Sequence, residues 1–443
     1  MLALPRTSPS RRSLWALDAL NFFLADVRDG LGPYLAIYLS LQKWQPGTIG
    51  IAMSAMGVAT VIAQTPAGAL IDATRHKRIT VILAALAVAL GSIAMVERPT
   101  LPVIVSAQVV LGAAAAVFPP AVAAITLGLM GHRLFGRRTG RNEAFNHAGN
   151  VAAAVAAGLI GDHIAYEGIF YLLAGMCLAS SFSTLLIRGG EIDYDGARGS
   201  GHEPPWEEST DPVPDREPAR IAKVEELLED PRIVLFSIAV VLFHFANAAM
   251  LPLVGQKLTA GRADGAAGYM SACIIAAQLV MVPVALLAAR LAETWGRKAT
   301  FLIGFAVLPP RGLLYTLTDN PYALVAIQVL DGIGAGIFGV VGVLVIADLT
   351  EGTGRFNLMQ GALATAIGIG AALSNVLTGY VVQASSQNVG FLVLAIIAAA
   401  ALAFYAIFVP ETHAGCRNDA SRALLTTSDS DCTNGSRRKA ANG

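Results

Sequence analysis

The sequence predicts an all-α polytopic membrane protein with twelve transmembrane helices arranged as two pseudo-repeats of six. Three observations support this prediction. The 443 residues are 55% hydrophobic and only 14% charged, whereas soluble globular proteins carry about 25% charged residues. Apolar segments long enough to cross a bilayer recur along the chain. A pattern in the first half of the sequence returns in the second half. The formal net charge of zero gives no indication of a nucleic-acid partner.

Apolar runs of the length needed for a membrane crossing, about 20 residues for ~30 Å of hydrocarbon, define the spans. The twelve predicted spans, numbered in chain order, cover residues 14–40, 48–72, 79–97, 101–130, 143–165, 168–187, 232–254, 265–291, 298–318, 321–348, 356–383 and 388–410. The predicted domains are a cytosolic N-terminus (1–13), a six-helix bundle (14–187), a cytosolic linker (188–231), a second six-helix bundle (232–410) and a disordered cytosolic tail (411–443). No removable signal peptide is evident at the N-terminus.

The distribution of basic residues predicts the orientation. External loops are expected to hold only four of the 31 Lys and Arg residues, namely Lys43, Arg98, Lys257 and Arg262. Two more, Arg28 and Arg311, lie within spans, and the others fall on the side that carries both termini. Because positively charged loops stay in the cytosol, both termini are predicted to be cytosolic, in a multi-pass protein of the cytoplasmic membrane.

Two segments recur in register in the two halves. QVVLGAAAAVF at 108–118 matches QVLDGIGAGIF at 328–338, and TGRNEAFN at 139–146 echoes TGRFNLMQ at 353–360. The matches lie at the fourth and fifth spans of each half, so they indicate a duplication. Parallel repeats of six helices with a substrate site between them characterise one transporter architecture.

The loops after the second span of each half, GALIDATRHKR and ARLAETWGRK, carry two copies of one pattern. The pattern is Gly-x-Leu-x-Asp, followed by a basic residue, any residue, Gly, Arg and one or two further basic residues. The residues that fit it are Gly68, Leu70, Asp72 and Arg78 in the first copy and Glu293, Gly296, Arg297 and Lys298 in the second. The residues that depart from it are Ala73, Arg75, His76 and Ala289. On these motifs, and over residues 14–410, the chain resembles transporters of the major facilitator superfamily.

This resemblance implies that the two loops act in gating. Gly68 would let two helices approach, and Asp72, at a cytosolic helix end, would accept hydrogen bonds from a helix N-terminus and from basic side chains. Such a contact would hold the halves together when the cytosolic side is closed. The alternative is a basic loop that only sets the topology.

Charged residues interrupt the first predicted span. A charge at the bilayer centre costs at least ~2.5–3.5 kcal/mol on insertion scales, yet Asp26, Arg28 and Asp29 lie in the middle of this span. At 100° per residue, Arg28 and Asp29 share one helix face with Asp18 and Asn21, and Asp26 lies at its margin. In one interpretation, these charges neutralise one another or a nearby helix and have only a structural role. In the other, they border a water-filled cavity between the bundles.

Further polar residues favour the cavity. In the resembled family, spans one, four, seven and ten line the central cavity. In this sequence, span four carries Gln108, span seven carries His244 and Asn247, and span ten carries Asp331. His244 could instead be a packed residue. Arg311, after two prolines of the ninth span, is expected to turn inward and pair with an acid such as Asp331, either as a structural pair or as a substrate contact.

Proton coupling has two sets of candidate residues. Many proton-coupled relatives carry an arginine at the position of Gln108, so coupling here would run through Asp26, Asp29 or Asp331. A polar face on the fifth span could also relay protons, since His titrates near neutral pH. That face consists of Glu143, Asn146, His147 and Asn150 at i, i+3, i+4 and i+7, and its alternative role is to cap and anchor a loop.

Several functions have no support in the sequence. There is no GxxxxGK[ST] loop, no HExxH and no paired CxxC, so no enzyme activity and no cofactor are expected. The sequence predicts a secondary transporter that moves a small solute by alternating access, coupled to protons, with export favoured over uptake on family frequency. The bilayer, the solute and a proton are its expected partners. Two alternatives are a transporter-like receptor or scaffold that works through its linker and tail, and a uniporter without ion coupling.

Overall fold

The computed structural model describes residues 9–29, 32–194, 230–261, 265–350 and 356–412. The N-terminal eight residues, most of the predicted linker with its amphipathic stretch, Arg262 and the tail after residue 412 lie outside this description. So do the side chains of Asp26, Arg28, Asp29 and Asp72, although their backbone lies in helices. Within the described ranges the secondary structure is helical and contains no β-strand.

The helices follow the predicted spans, with four differences in detail. Their bounds are α1 Arg11–Asp29, α2 Gly32–Leu41, α3 Pro46–Ala73, α4 Lys77–Glu97, α5 Leu101–His163, α6 Gly168–Leu186, α7 Pro231–Asn247, α8 Met250–Gly261, α9 Ala266–Thr294, α10 Arg297–Ala306, α11 Leu308–Thr316, α12 Pro321–Leu349, α13 Phe356–Ala384 and α14 Gln387–Phe408. Ten stretches of the described residues are long and apolar enough to cross a membrane.

The two predicted spans that do not meet those criteria are the first and the fifth. In the first, α1 carries too many charged residues and α2 has only 10 residues. The fifth is the second half of α5, which continues from the fourth span through a kink at Gly131. Gly131 has φ 70°, a conformation that glycine adopts readily. The loop expected between spans four and five is therefore helical, and this expectation was wrong.

Spans seven and nine are each broken near the middle. The seventh changes from α7 to α8 between Asn247 and Met250, and the ninth changes from α10 to α11 at Val307. In the ninth, two prolines occupy the first turn of α11, where a missing N–H costs least. The seventh span also continues to Gly261, so Lys257 is not in a loop as expected but is helical and 7% exposed.

The sequence repeat appears in the packing. Gly112 lies against α3, and Gly332, at the same place of the repeat, lies against α9, the corresponding helix of the second half. At either glycine an added Cβ would collide with a backbone carbonyl oxygen, that of Met56 or of Ala277. Glycine is therefore required where spans two and four, and spans eight and ten, cross.

The ends of the bundles differ in how they meet. We call the end that holds the N-terminus of α1 and the α3–α4 loop the basic end, and the other the opposite end. Near the opposite end, Gly50 and Gly379 bring α3 and α13 into backbone contact. Towards the basic end, a Cβ added at Gly68 of α3 or Gly361 of α13 would meet no atom within 4 Å. The two helices thus diverge, and the molecule opens at its basic end.

Candidate functional site

An ion pair lies inside the second bundle. The Nη1 of Arg311, on α11, is 2.7 Å from Oδ1 of Asp331, on α12. The Arg311 side chain is 2% exposed and that of Asp331 is 18% exposed. The pairing that the sequence suggested for Arg311 is confirmed. Because the arginine is almost fully buried, its charge depends on this carboxylate and on further hydrogen bonds.

Those hydrogen bonds come from three neighbouring residues. Arg311 donates from Nη1 to Oδ1 of Asn247, from Nε to the hydroxyl of Tyr315 at 3.2 Å, and from Nη2 to Oε1 of Gln328 at 3.4 Å. The guanidinium also lies 5.7 Å from the centre of the Tyr315 ring. All these residues belong to the second bundle, so the cluster is held within that bundle rather than between the two.

This cluster lies near the middle of the membrane. Asp331 is ten residues into α12, about 15 Å from its start at 1.5 Å per residue. The breaks in spans seven and nine adjoin the cluster, since Asn247 ends α7 and Arg311 lies in the first turn of α11. Broken helices at mid-depth are typical of transporter binding sites, because their free backbone groups can contact solute or ions.

The charged residues of the first span lie at the corresponding position along the backbone of the first bundle. Asp26, Arg28 and Asp29 lie in the last turn of α1, just before the change to α2. The first and seventh spans, which correspond in the repeat, are thus both interrupted near mid-depth beside polar residues. This shared interruption was not predicted from the sequence, although a proline follows each one, Pro33 in the first turn of α2 and Pro252 in the first turn of α8.

Two buried glutamines have unpaired amide atoms. Gln108 is 3% exposed and its Oε1 has no hydrogen-bond partner among the described residues. Gln328, its counterpart in the repeat, is fully buried, and its Nε2 has none there either. A buried amide without a partner costs roughly 1–3 kcal/mol, so the described packing leaves one polar atom unsatisfied at each of these two positions.

His244 has the contacts of a packed residue. Its ring lies 4.6 Å from that of Phe338 in an edge-on arrangement and 5.2 Å from that of Phe243. Its Nδ1 is 3.0 Å from the carbonyl oxygen of Val240 in the same helix. These contacts orient the imidazole and leave Nε2 as the nitrogen that could contact a solute.

The polar face of the fifth span is divided between two environments. His147 Nδ1 is 3.1 Å from Oε1 of Gln278 on α9, so it joins the two bundles. Asn146 donates to Glu143 at 3.2 Å, on an exposed stretch of α5. Of this face, His147 therefore contacts the other bundle near mid-depth, whereas Glu143 lies nearer the basic end.

A second buried ion-pair network was missed in the sequence. Asp18, only 2% exposed, pairs with Arg138 at 2.6 Å and with Arg141 at 2.7 Å. Arg138 donates to Asn142, whose amide donates to Thr126 at 2.9 Å. Arg138 and Arg141 had been counted only as basic loop residues. Their network fastens α1 to α5 at the basic end.

The comparisons with known proteins now decide the family. The sequence model described as Major Facilitator Superfamily matches residues 17–308 and 236–431. The chain belongs to the major facilitator superfamily. It is 50% identical over 398 residues to an uncharacterised MFS-type transporter of Mycobacterium tuberculosis, in strains CDC 1551 / Oshkosh and ATCC 25618 / H37Rv, covering 90% of this chain and 93% of each relative. It is accordingly a multi-pass membrane transporter of that superfamily.

Solved structures show the same major facilitator fold. The nucleoside transporter NupG in an aspartate-to-alanine variant superposes with a TM-score of 0.71 at 15% identity, over 89% of this chain and 99% of that one. NupG without that substitution gives a TM-score of 0.66 at 16% identity, over 89% and 98%. At this identity the likeness concerns the fold.

In the first signature loop of this superfamily member, Arg78 binds within its own bundle. Arg78 donates from Nε to the carbonyl oxygen of Thr184 at 3.1 Å and from Nη2 to that of Leu185 at 2.9 Å, at the end of α6. Gly68, expected where two helices approach, has open space around it. The expected close approach is absent because α3 and α13 diverge at this end.

The second signature loop is similar in this respect. Arg297 pairs with Asp348 at 3.1 Å and donates to the carbonyl oxygen of Ala292, while Glu293 is exposed. Gly296 has φ 92°, which places the start of α10. The carboxylate of Glu411 accepts the backbone N–H groups of Arg297 and Lys298, both at 3.0 Å. Glu411 had been assigned to the tail, where no sequence signal marked it as a helix cap.

Proposed function

We propose that this protein moves a small solute by alternating access, as a secondary transporter, and couples that movement to protons. One observation carries the proposal: a buried ion pair, Arg311–Asp331, lies beside two helix breaks at mid-depth in a molecule whose bundles meet at one end and diverge at the other. A transporter needs a site at mid-depth and bundles that can separate at either end.

The proton is the proposed coupling ion. Protonation of Asp331 would remove the counter-charge of Arg311, which is too buried to be neutralised by water. The partial exposure of Asp331 gives a proton a route to the carboxylate. Asp26 and Asp29 are the proposed acids of the first bundle, with Arg28 as their partner. Since Gln108 is neutral, it cannot substitute for a basic residue in this coupling.

The solute is proposed to contact the polar groups that face the middle of the membrane. Gln108 offers an unpaired acceptor, and the half-buried Asn247 and His244 border the break in the seventh span. If Arg311 and Asp331 neutralise each other, the charges of the first span leave a balance of minus one. This balance favours a cationic or zwitterionic solute.

The orientation is proposed from the charges and the direction from family frequency. The basic end is proposed to face the cytosol, because positively charged loops are retained there. Export is the proposed direction on family frequency alone, because an opening at this end occurs in the cycle of exporters and importers alike. The signature-loop residues Gly68, Asp72, Arg78, Glu293, Gly296 and Arg297 are proposed to close this end in the other conformation.

The test is transport in liposomes with an imposed pH gradient and a panel of metabolites, nucleosides and drugs. We expect solute flux that follows the gradient, and Asp331→Asn is expected to abolish its dependence on pH. Glu97→Gln, on an exposed carboxylate outside the cluster, is the matched control and should transport normally. Flux indifferent to the gradient and to Asp331→Asn would instead identify a uniporter.

The receptor alternative gives the reverse pattern. In it, no solute of a broad panel moves, and removal of residues 413–443 abolishes the cellular function while Asp331→Asn is tolerated. The truncation should begin after Thr412, because Glu411 caps α10 and Thr412 donates to Asp348.

A further inference from the structure

Four helices at the opposite end, α3, α5, α6 and α9, have no side-chain cap from the residue that precedes them. α3 follows Gln45, whose side chain does not bond to the first turn, and α9 follows Gly265, which has no side chain. The first N–H groups of a helix have no partner within it, so a side-chain oxygen usually accepts from the second or third residue. At α3 and α9 that oxygen comes from the other bundle.

The two caps are crosswise and equivalent in the repeat. Oδ2 of Asp162, in the last turn of α5, accepts the N–H of Gly268 at 2.9 Å. Oε1 of Gln383, in the last turn of α13, accepts the N–H of Gly47 at 3.0 Å. The fifth span of the first bundle thus caps the eighth, and the eleventh span of the second bundle caps the second.

Glycine leaves room for the capping atom at both positions. A Cβ added at Gly268 would collide with Oδ2 of Asp162, and one added at Gly47 would collide with Oε1 of Gln383. Any side chain there would displace the cap. Both positions therefore combine a free N–H, a residue without a side chain and an acceptor from the facing bundle.

Two helices of the second bundle at the same end, α12 and α14, are capped by the residue that precedes them. Asn320 accepts the N–H of Tyr322 in α12 at 2.9 Å, and Ser386 accepts that of Val389 in α14 at 3.3 Å. These caps have the same chemistry but do not join the bundles. They separate the effect of losing a helix cap from the effect of losing a contact between bundles.

We propose that Asp162 and Gln383 are the gate residues of the opposite end, positioning residues that hold it closed by capping helices of the facing bundle. This inference rests on the proposed alternating access. When the opposite end opens, both N–H groups lose their acceptors and must be hydrated. The caps therefore contribute to the closed conformation, whereas Asn320 and Ser386 contribute equally to both conformations.

The test measures the distance across the opposite end by electron spin resonance. Spin labels are placed at Gln42 in the first bundle and Leu317 in the second, both exposed at this end, with the four native cysteines replaced by alanine. Asp162→Ala and Gln383→Ala are each expected to raise the ratio of long to short distances about fivefold, the usual size of a lost cap. Together they should raise it roughly 25-fold.

The controls keep the acceptor or remove a cap within one bundle. Asp162→Asn and Gln383→Glu retain an acceptor oxygen and should leave the distance ratio near that of the wild type. Asn320→Ala should also leave it unchanged, although it destabilises the fold by a similar amount. The inference is overturned if Asp162→Ala and Gln383→Ala leave the ratio unchanged, or if Asn320→Ala shifts it as much.

The same measurement distinguishes the two proposals. If wild-type protein shows two distance populations that solute or pH redistributes, but the cap variants do not change them, only the gate assignment fails. If the ends never separate under any condition, alternating access itself fails.

Discussion

Removing the arginine of the buried ion pair should destabilise the protein strongly, and removing both partners should restore part of the loss. Arg311→Met leaves the carboxylate of Asp331 unpaired and deprives Asn247, Tyr315 and Gln328 of a donor. Breaking a buried pair in this way costs about 3–5 kcal/mol. Because 18% of the Asp331 side chain is exposed, water can offset some of the loss, and we expect the lower end of that range.

The double variant Arg311→Met/Asp331→Leu removes both charges. Apolar replacements of a buried pair are often neutral or stabilising. Here Asn247 and Gln328 still lose a donor, so the double variant should remain somewhat less stable than the wild type. Its stability should nevertheless exceed that of Arg311→Met, with a coupling energy of about 2 kcal/mol between the two positions.

Two buried cysteines provide the assay. Cys177 and Cys273 are fully buried, so a thiol-reactive dye reports their exposure as the protein unfolds in detergent on heating. Cys416 and Cys432 are replaced by serine so that only the buried thiols react. The reasoning is refuted if Arg311→Met is as stable as the wild type. It is also refuted if the double variant is less stable than both Arg311→Met and Asp331→Leu.

Three further predictions concern packing, burial and pH. The first two are followed with the same dye, and the third by intrinsic tryptophan fluorescence, because the dye reacts with the thiolate, which is scarce in acid. Gly112→Ala should destabilise by about 1–3 kcal/mol because its Cβ meets a backbone carbonyl, whereas Gly175→Ala, with nothing within 4 Å, should not. Lys257→Met removes a buried ammonium that donates to the carbonyl oxygen at the end of α11 and should cost about 1–3 kcal/mol. Asp319→Asn, on its 89% exposed partner, should cost less than about 1 kcal/mol. Burial raises the pKa of Glu191, but hydrogen bonds from two serines at the start of α1 outweigh this effect and lower the pKa below 4.5. The contact therefore stabilises the protein above pH 4.5, and that stabilisation is lost as the pH falls below this value. Glu191→Gln should abolish the loss of stability in acid.

The sequence did not predict that α3 and α13 touch at one end and separate at the other. Gly50, Gly68, Gly361 and Gly379 look alike in the sequence, yet the structure uses the first and last for close packing and leaves the middle two in open space. Which glycines touch depends on the angle between the bundles, and that angle is set by contacts made over the whole interface.

Hydropathy and charge were sufficient for the architecture, because each span must bury its own backbone hydrogen bonds in lipid. They identified the helical class, whereas matching segments and loop motifs identified the repeat and the family, and the burial of Arg311 predicted its pairing with an acid such as Asp331. The tertiary structure alone decided that Arg311 also binds Asn247, that Asp18 holds two arginines, and that Asp162 and Gln383 cap helices of the facing bundle. Those pairings join residues far apart in the chain, and their geometry is fixed only once the helices have packed.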